Sequence, residues 1–303
     1  MTQIDRPFRP RRSRLGLRIS RTVAAAGTLL ITLAACSAGG GSAPHSGASG
    51  NQRAKQAPTW RTNPASLAAL GDSITVGFDA CTVLSDCPEV SWATGTDPKV
   101  DSLARRLGAH PATHSWNFAK TGALMSDLPD QVAAAVRRKP ELVTVLIGAN
   151  DACRRSVGAM TPEAAFRADF TRSLASLRRA LPRTQVYVAA VPDLLRLWSE
   201  GRKNPLGKEV WKLGICGSML RDPDDLTKSA QDRRAKVRAR VVAYNSALAE
   251  VCGKDPLCRF DGSVFDYRFT DRELSTWDWF HPGARGQREL AELAFRVITR
   301  RQS

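Results

Sequence analysis

The sequence is poor in acidic residues, in histidine and in long apolar runs. Its 303 residues include 29 Asp and Glu against 45 Lys and Arg, and only four histidines. The seven cysteines contain no C-x-x-C pair, which argues against a zinc site. The lack of long apolar runs excludes a chain that crosses the membrane repeatedly. With 43% apolar residues, the composition is that of a globular protein and excludes a mostly disordered or fibrous one.

The first 35 residues have the pattern of an export signal. Seven arginines in residues 1–21 precede the uncharged stretch 22–35, which at about 14 residues is too short to span a bilayer stably. The stretch ends in Leu33-Ala34-Ala35-Cys36, which is similar to the bacterial lipobox, where the cysteine is lipidated. We expect an exported protein, either anchored at the extracytoplasmic face of the membrane through Cys36 or secreted. The alternative is a secretory signal cut at a nearby small residue, with Cys36 unmodified.

Residues 36–59 have the composition of a flexible tether, because they are rich in Gly, Ser and Ala and lack apolar periodicity. One folded domain is then expected over 60–303. Removing the signal takes away seven positive charges and one negative charge, which lowers the formal net charge from +16 to +10. This excess favours an anionic membrane or wall surface as a partner. Nucleic acid is not expected, because the sequence has no binding motif for it.

The cysteines beyond Cys36 are even in number, which in an exported chain favours three disulfides. Two spacings are short enough to close local loops, and they favour sequential pairing, although the sequence leaves other pairings open. The preferred pairs are Cys81 with Cys87, Cys153 with Cys216, and Cys252 with Cys258.

Buried strands alternate with amphipathic helices along the domain. Apolar, β-branched runs bounded by Gly or Pro are typical of strands buried on both faces in a parallel sheet. Apolar residues recur at helical spacing from 166 to 181 and again in the last segment, which we expect to begin at Pro282. The pattern predicts a single α/β domain with helices on both sides of the sheet. The predicted strands are Ser66–Leu70, Ser115–Ala119, Glu141–Ile147 and Gln185–Val191.

Four short motifs follow these strands or precede the last helix. In this order they resemble the motifs of the SGNH (GDSL-like) hydrolase superfamily, in the form of its secreted actinobacterial and phospholipase-B-like lipases and esterases. The resemblance implies a flavodoxin-like, three-layer α/β/α sandwich with five parallel strands. It also implies a serine-dependent ester hydrolase that uses no cofactor and no metal. The motifs are Gly71-Asp72-Ser73-Ile74, where the namesake motif has Leu in place of Ile74, Asn117-Phe118-Ala119-Lys120-Thr121-Gly122, Gly148-Ala149-Asn150-Asp151, and Asp278-Trp279-Phe280-His281.

An ester hydrolase needs a nucleophile, a base and a group that orients the base. Ser73 follows the first strand and is the candidate nucleophile; the alternative is a helix N-cap. Asp278 lies three residues before His281, so a local turn can bring its carboxylate to the ring nitrogen that does not face the serine. Asp278 could also cap the final helix.

His281 is favoured as the base partly by elimination among the four histidines. His45 lies in the tether. His110 and His114 flank Pro111 without an acid at a useful spacing, so we expect both at the surface.

The resemblance implies three donors to the developing oxyanion: the backbone N–H groups of Ser73 and Gly122 and the side-chain amide of Asn150. Glycine leaves room for a substrate to approach its N–H. The Asn amide is a neutral donor that does not have to be protonated first. The alternatives are that Gly122 is a plain turn glycine and that Asn150 is a helix cap. Asp151 is expected to be structural.

The substrate is less well specified by the sequence. The region Asp79–Gly108 resembles the loop after the nucleophile in phospholipase-B-like members, which favours lipid acyl esters. Aromatic residues at 277, 279 and 280 could line an acyl pocket or belong to the core. The stretch 194–225 is interpreted as an insertion beside the active-site edge that shapes the acyl site. One alternative is a carbohydrate or cell-wall O-acyl esterase. The other is a non-catalytic envelope binding lipoprotein. A decayed site in such a protein should have lost at least one of the five candidate residues, but all are present: Ser73, Gly122, Asn150, Asp278 and His281.

A basic run lies on a helical pattern that reaches Leu248. We interpret this run as a solvated helix face, which is what such runs usually are. The alternative is a surface that attracts anionic lipid headgroups or wall polymers. We expect the protein to act as a monomer. The run consists of Arg233, Arg234, Lys236, Arg238 and Arg240.

Overall fold

Five parallel strands form one sheet at the centre of the computed structural model, which describes residues 59–301. The order across the sheet is β2-β1-β3-β4-β5, and every neighbouring pair is parallel. The parallel α/β fold expected from the sequence is therefore confirmed. The strands are β1 (Leu67–Gly71), β2 (Ser115–Asn117), β3 (Leu142–Leu146), β4 (Gln185–Ala189) and β5 (Cys258–Asp261).

Helices cover both faces of this sheet. On one face α4, α6 and α10 pack side by side, and on the other α12 packs with α2 and against β4 and β5. Among the described residues, no helix has the length and apolarity needed to cross a bilayer. The helices are α1 (Ser73–Val76), α2 (Leu103–Arg106), α3 (Pro111–His114), α4 (Leu128–Val136), α5 (Ala149–Ala152), α6 (Glu163–Ala180), α7 (Leu194–Gly201), α8 (Pro205–Trp211), α9 (Gly217–Leu220), α10 (Lys228–Cys252), α11 (Ser263–Asp266) and α12 (Ala284–Thr299).

Some element boundaries differ from those expected. β2 ends at Asn117, because its side-chain carbonyl accepts the N–H of Ala119 and turns the chain. The last helix begins at Ala284 and not at Pro282, since Pro282 forms an isolated β-bridge with Leu274. β5 was not located from the sequence, because its four residues form a half-buried edge strand without a continuous apolar run.

The predicted signal peptide 1–35, the lipidation site Cys36 and all of the tether except Thr59 lie outside the described residues. Their assignments stay predictions. Within the described residues, the three expected disulfides are present in the sequential pairing: Cys81–Cys87, Cys153–Cys216 and Cys252–Cys258.

The strand order places a crevice between the carboxyl ends of β1 and β3. The chain runs from β1 outward to β2 and then returns to β3 on the other side of β1. At such a switch point the connections leave in opposite directions, and open α/β sheets bind ligands there. Ser73 follows β1 and Asn150 follows β3, so the two residues flank the crevice.

The basic run on α10 is only in part the solvated face that was expected, because Lys236 and Arg238 are exposed while Arg234 is buried. Arg234 is 1% exposed, and its guanidinium donates to the carbonyls of Met219, Asp222 and Asp225 while lying 4.2 Å from the Trp198 ring. The burial of Arg234 lowers its pKa to about 10, which leaves the group charged at neutral pH.

The other arginines of the run are also engaged. Arg233 donates to the carbonyls of Ser218 and Arg221, Arg238 pairs with Asp193 at 2.8 Å, and Arg240 donates to Thr161. The run therefore fastens the segment 194–225 to the domain, because most of its donors are directed at that segment. Lys236 is exposed.

Replacing Arg234 by the similarly long Met should destabilise the protein. Three carbonyl groups, of which that of Met219 is buried, would lose a charged donor, which should lower the free energy of unfolding by about 3 kcal/mol. Denaturation in urea measures this change. The matched control is Lys236→Met on the same helix, which should alter stability by less than about 0.5 kcal/mol. Equal midpoints for the two variants would show that Arg234 does not hold the segment in place.

Candidate active site

Ser73 is the first residue of α1, directly after β1. The cap of this helix is Asp72, whose Oδ1 accepts the N–H of Ile74 at 3.0 Å, so Ser73 is not the N-cap. Gly71 is required by close packing, because a Cβ there would lie 2.3 Å from the Leu146 carbonyl oxygen. This tight junction between β1 and β3 aims the Ser73 side chain at the crevice.

Ser73, His281 and Asp278 form a continuous chain of hydrogen bonds. Ser73 Oγ lies 3.0 Å from His281 Nε2, and His281 Nδ1 lies 2.5 Å from Asp278 Oδ2. The other oxygen of Asp278, Oδ1, accepts the backbone N–H groups of Phe280 and His281, both at 2.9 Å. Asp278 thus closes a turn around His281, while the N-cap position of α12 is Gly283. The structure brings these three predicted residues together.

Distant residues, which the sequence analysis did not identify, hold the loop that carries His281. The Ser275 N–H donates to the His281 carbonyl at 2.7 Å, and the Trp211 indole donates to the Asp278 carbonyl at 2.7 Å. Gln287 of α12 donates to the Ile74 carbonyl and accepts the N–H of Trp92, both at 2.9 Å. No local motif marks Trp211 or Gln287, because their partners lie far away in the sequence.

Burial and charge act in opposite directions on the His281–Asp278 pair. Burial disfavours the imidazolium, but the charge and hydrogen bond of Asp278, with smaller contributions from Asp72 and Asp79, raise the pKa of His281 above its usual value. Burial likewise disfavours the Asp278 carboxylate, yet His281 and the two N–H donors lower the pKa of Asp278. The pair therefore favours Asp278 ionised and His281 as a strengthened base.

The three expected oxyanion donors lie around the crevice. The Ser73 N–H stands at the start of α1, where a helix leaves its N–H groups without helical partners. Asn150 lies inside α5 rather than capping it, and its amide donates to the Ala123 carbonyl at 3.1 Å. That bond ties Asn150 to the turn that contains Gly122, whose φ of +81° favours glycine.

Asp151 supports this turn, as a structural residue would. It is fully buried, and its Oδ2 accepts the N–H of Met125 at 2.9 Å. Burial raises the pKa of Asp151 to about 6.

A cavity of about 240 Å³ opens beside Ser73 and His281. The segment 194–225 supplies one wall, as expected for a segment beside the active-site edge, and the Cys153–Cys216 disulfide joins that wall to the end of α5. The lining is mostly apolar away from the reacting groups. It consists of Ser73, Ile74, Ala149, Asn150, Cys153, Leu194, Leu197, Gly214, Ile215, Cys216, Phe280 and His281.

The aromatic residues around His281 have different positions. Phe280 lines the cavity, Trp279 packs against Gly207 of α8, and Trp277 is 41% exposed. Phe78, which sequence reasoning missed, meets the His281 ring edge-on at 5.2 Å. His110 and His114 are exposed, as predicted, so neither competes for the role of base.

Residues 69–289 match the model of the GDSL-like lipase/acylhydrolase family. No match to a curated protein is significant. Among solved structures, the chain is similar to a catalytic mutant of an acetylxylan esterase from Geobacillus stearothermophilus, with 17% identity, a TM-score of 0.49, and 79% of this chain and 97% of that chain covered. It is also similar to an α/β hydrolase from the metagenome of Lake Arreo, Spain, with 18% identity, a TM-score of 0.48, and 78% and 94% covered. Identities this low do not transfer a substrate.

Proposed function

The chain belongs to the GDSL-like lipase/acylhydrolase family and is an ester-bond hydrolase, and from that premise we propose that it cleaves carboxylic esters through an acyl-enzyme on Ser73. The observation that supports this proposal is the unbroken hydrogen-bond chain from Ser73 through His281 to Asp278. It also favours turnover over the alternative of a non-catalytic binding lipoprotein.

In the first half of the reaction, neutral His281 accepts the Ser73 proton at Nε2 while Oγ attacks the acyl carbon. Asp278 keeps the remaining ring proton on Nδ1 and stabilises the imidazolium that forms. The negative charge that develops on the acyl oxygen is received by the N–H groups of Ser73 and Gly122 and by the amide of Asn150. His281 then returns its proton to the departing alcohol.

In the second half, water replaces the alcohol. His281 takes a proton from the water as it attacks the acyl carbon. The bond between the acyl carbon and Ser73 Oγ then breaks, and His281 returns the proton to Oγ, which releases the acid and restores the enzyme. No step requires a cofactor.

We propose that the acyl group is an apolar chain, as in lipid esters. The support is the wall of the cavity beside Ser73 away from the reacting groups, which is formed by apolar side chains, among them Leu194, Leu197, Ile215 and Phe280. A carbohydrate or cell-wall O-acyl esterase with the same machinery is the competing candidate, and chain-length preference separates the two.

We also propose that the enzyme works outside the cytoplasm, anchored through Cys36. Three disulfides among the described residues suit an oxidising compartment. The Leu33–Cys36 motif lies outside those residues and supports the anchor on sequence grounds alone.

Ser73→Ala should abolish hydrolysis. Loss of the nucleophile is expected to lower kcat by at least about 10⁴-fold on p-nitrophenyl esters. The matched control is Ser246→Ala, at an exposed position of α10, which should retain parental kcat and KM. Hydrolysis that survived in Ser73→Ala would remove Ser73 as the nucleophile.

Ile215→Trp should shorten the acyl chains that the enzyme accepts. Added volume on the cavity wall is expected to lower kcat/KM for decanoyl esters by about tenfold or more and to leave acetyl esters nearly unchanged. Leu213→Trp is the control, because Leu213 is 74% exposed and does not line the cavity. A parental protein that prefers acetyl esters and declines steeply with longer chains would favour the carbohydrate esterase.

Metabolic labelling with a palmitate analogue tests the anchor. Label is expected on the parental chain in its bacterial host and is expected to be lost in Cys36→Ser. Equal labelling of both chains, or of neither, would contradict lipidation at Cys36.

A further inference from the structure

A second buried carboxyl group lies behind the Asp278–His281 pair. Asp79 is 1% exposed, and Asp79, Asp278 and His281 each place one carboxylate oxygen or ring nitrogen within 4.8 Å of the others. The proposed ester hydrolysis makes no use of Asp79.

The backbone around Asp79 holds its side chain in this position. Asp79 has a φ of +56°, which is unusual for a residue other than glycine and is found where surrounding contacts enforce it. Its carbonyl accepts the Ser275 hydroxyl at 2.6 Å, which fastens it to the loop that carries Asp278. Its N–H donates to the Ser85 carbonyl at 2.9 Å, within the loop that the Cys81–Cys87 disulfide closes.

The two carboxylate oxygens of Asp79 have different surroundings. Oδ1 accepts the N–H of Leu84. Oδ2 is buried and has no hydrogen-bond partner within residues 59–301. Burial, and then the neighbouring charge of Asp278, raise the pKa of Asp79 to about 6. Above that pH, two carboxylates face each other out of water, which is unfavourable unless a positive charge lies between or beside them.

We propose that Asp79 is a positioning residue for the reaction, whose carboxylate acts with Asp278 to make His281 a stronger base. Repulsion between the two carboxylates is relieved when His281 takes the Ser73 proton and becomes an imidazolium. The relief therefore occurs in the transition state, where it lowers the barrier. This inference rests on the proposed function, in which His281 is the base.

Three carboxyl groups face His281. Asp278 faces it from its own loop, Asp72 from the end of β1, and Asp79 from the segment after α1. Burial raises the pKa of Asp72 to about 7, so Asp72 also titrates in this range. Substituting Asp79 leaves Asp72 and Asp278 in place, so a difference between the variant and the parent reports on Asp79.

An NMR titration of the His281 ring in the full, substrate-free chain tests this proposal. The sequence has four histidines, and the resonance absent from His281→Gln identifies the one of interest. Asp79→Asn retains an oxygen for the Leu84 N–H but cannot ionise. We expect it to lower the pKa of His281 by about one unit, because a negative charge that favours the imidazolium is gone.

Two further variants calibrate this shift. Asp278→Asn should lower the pKa of His281 more than Asp79→Asn does. Asp261→Asn removes another buried carboxyl, which accepts the Tyr187 hydroxyl at 2.7 Å on β5, and should leave the pKa of His281 unchanged. In turnover assays Asp79→Asn should lower kcat by about tenfold with little change in KM. The acidic limb of the kcat–pH profile of Asp79→Asn should move to lower pH, because the pKa of His281 is lowered.

An Asp79→Asn titration that overlays those of the parent and Asp261→Asn would overturn the proposal. If Asp79→Asn does not fold, Asp72→Asn decides, because it removes the other group that titrates in this range. The His281 shift of Asp72→Asn should still show a second inflection near pH 6, and its absence would overturn the proposal. The titration measures the resting protein and needs no turnover, so its outcome is independent of the hydrolysis assay. Hydrolysis that survives in Ser73→Ala would contradict the proposed function, whatever the titration shows.

Discussion

The candidate active site depends on keeping one buried carboxylate ionised. Asp278 is shielded from solvent, and an isolated carboxylate in such a place would take up a proton. Two backbone N–H groups and the His281 ring compensate for its lost hydration. All three donors come from within three residues of Asp278, so the turn that satisfies the carboxylate also orients the His281 ring. The ring lies beside Ser73 because α12 and α1 are joined through Gln287.

The segment 194–225 gives the site its apolar wall, and it is held by polar contacts. Short helices of this kind bury too little apolar surface to be stable alone. Arg234 fastens the segment by donating to three of its carbonyl groups, and the Cys153–Cys216 disulfide fastens its end to α5. The contacts that hold the wall thus also connect it to the helix that carries Asn150, so the cavity beside Ser73 and the Asn150 amide share one support.

Much of the fold could be predicted from the sequence because its signals are local. Short apolar runs marked β1, β3 and β4, and the period of the apolar residues marked α6. β5 was missed since a short edge strand has no such run. The arginines of α10 were misjudged for a related reason: charge predicts exposure by default, and only the distant carbonyl groups of 219–225 explain why Arg234 is buried.

By itself the sequence determined which residues could carry the chemistry, because the turn from Asp278 to His281 and the junction of β1 with Ser73 are short-range features. It also indicated the disulfide partners through their spacing. Only the tertiary structure decided what those residues meet. The Ser73–His281 contact joins positions 208 residues apart, and Asp79 comes to lie behind Asp278 through contacts such as the Ser275 hydroxyl bond, 196 residues away. Such pairings depend on how the sheet and its loops close in space, which no local pattern encodes.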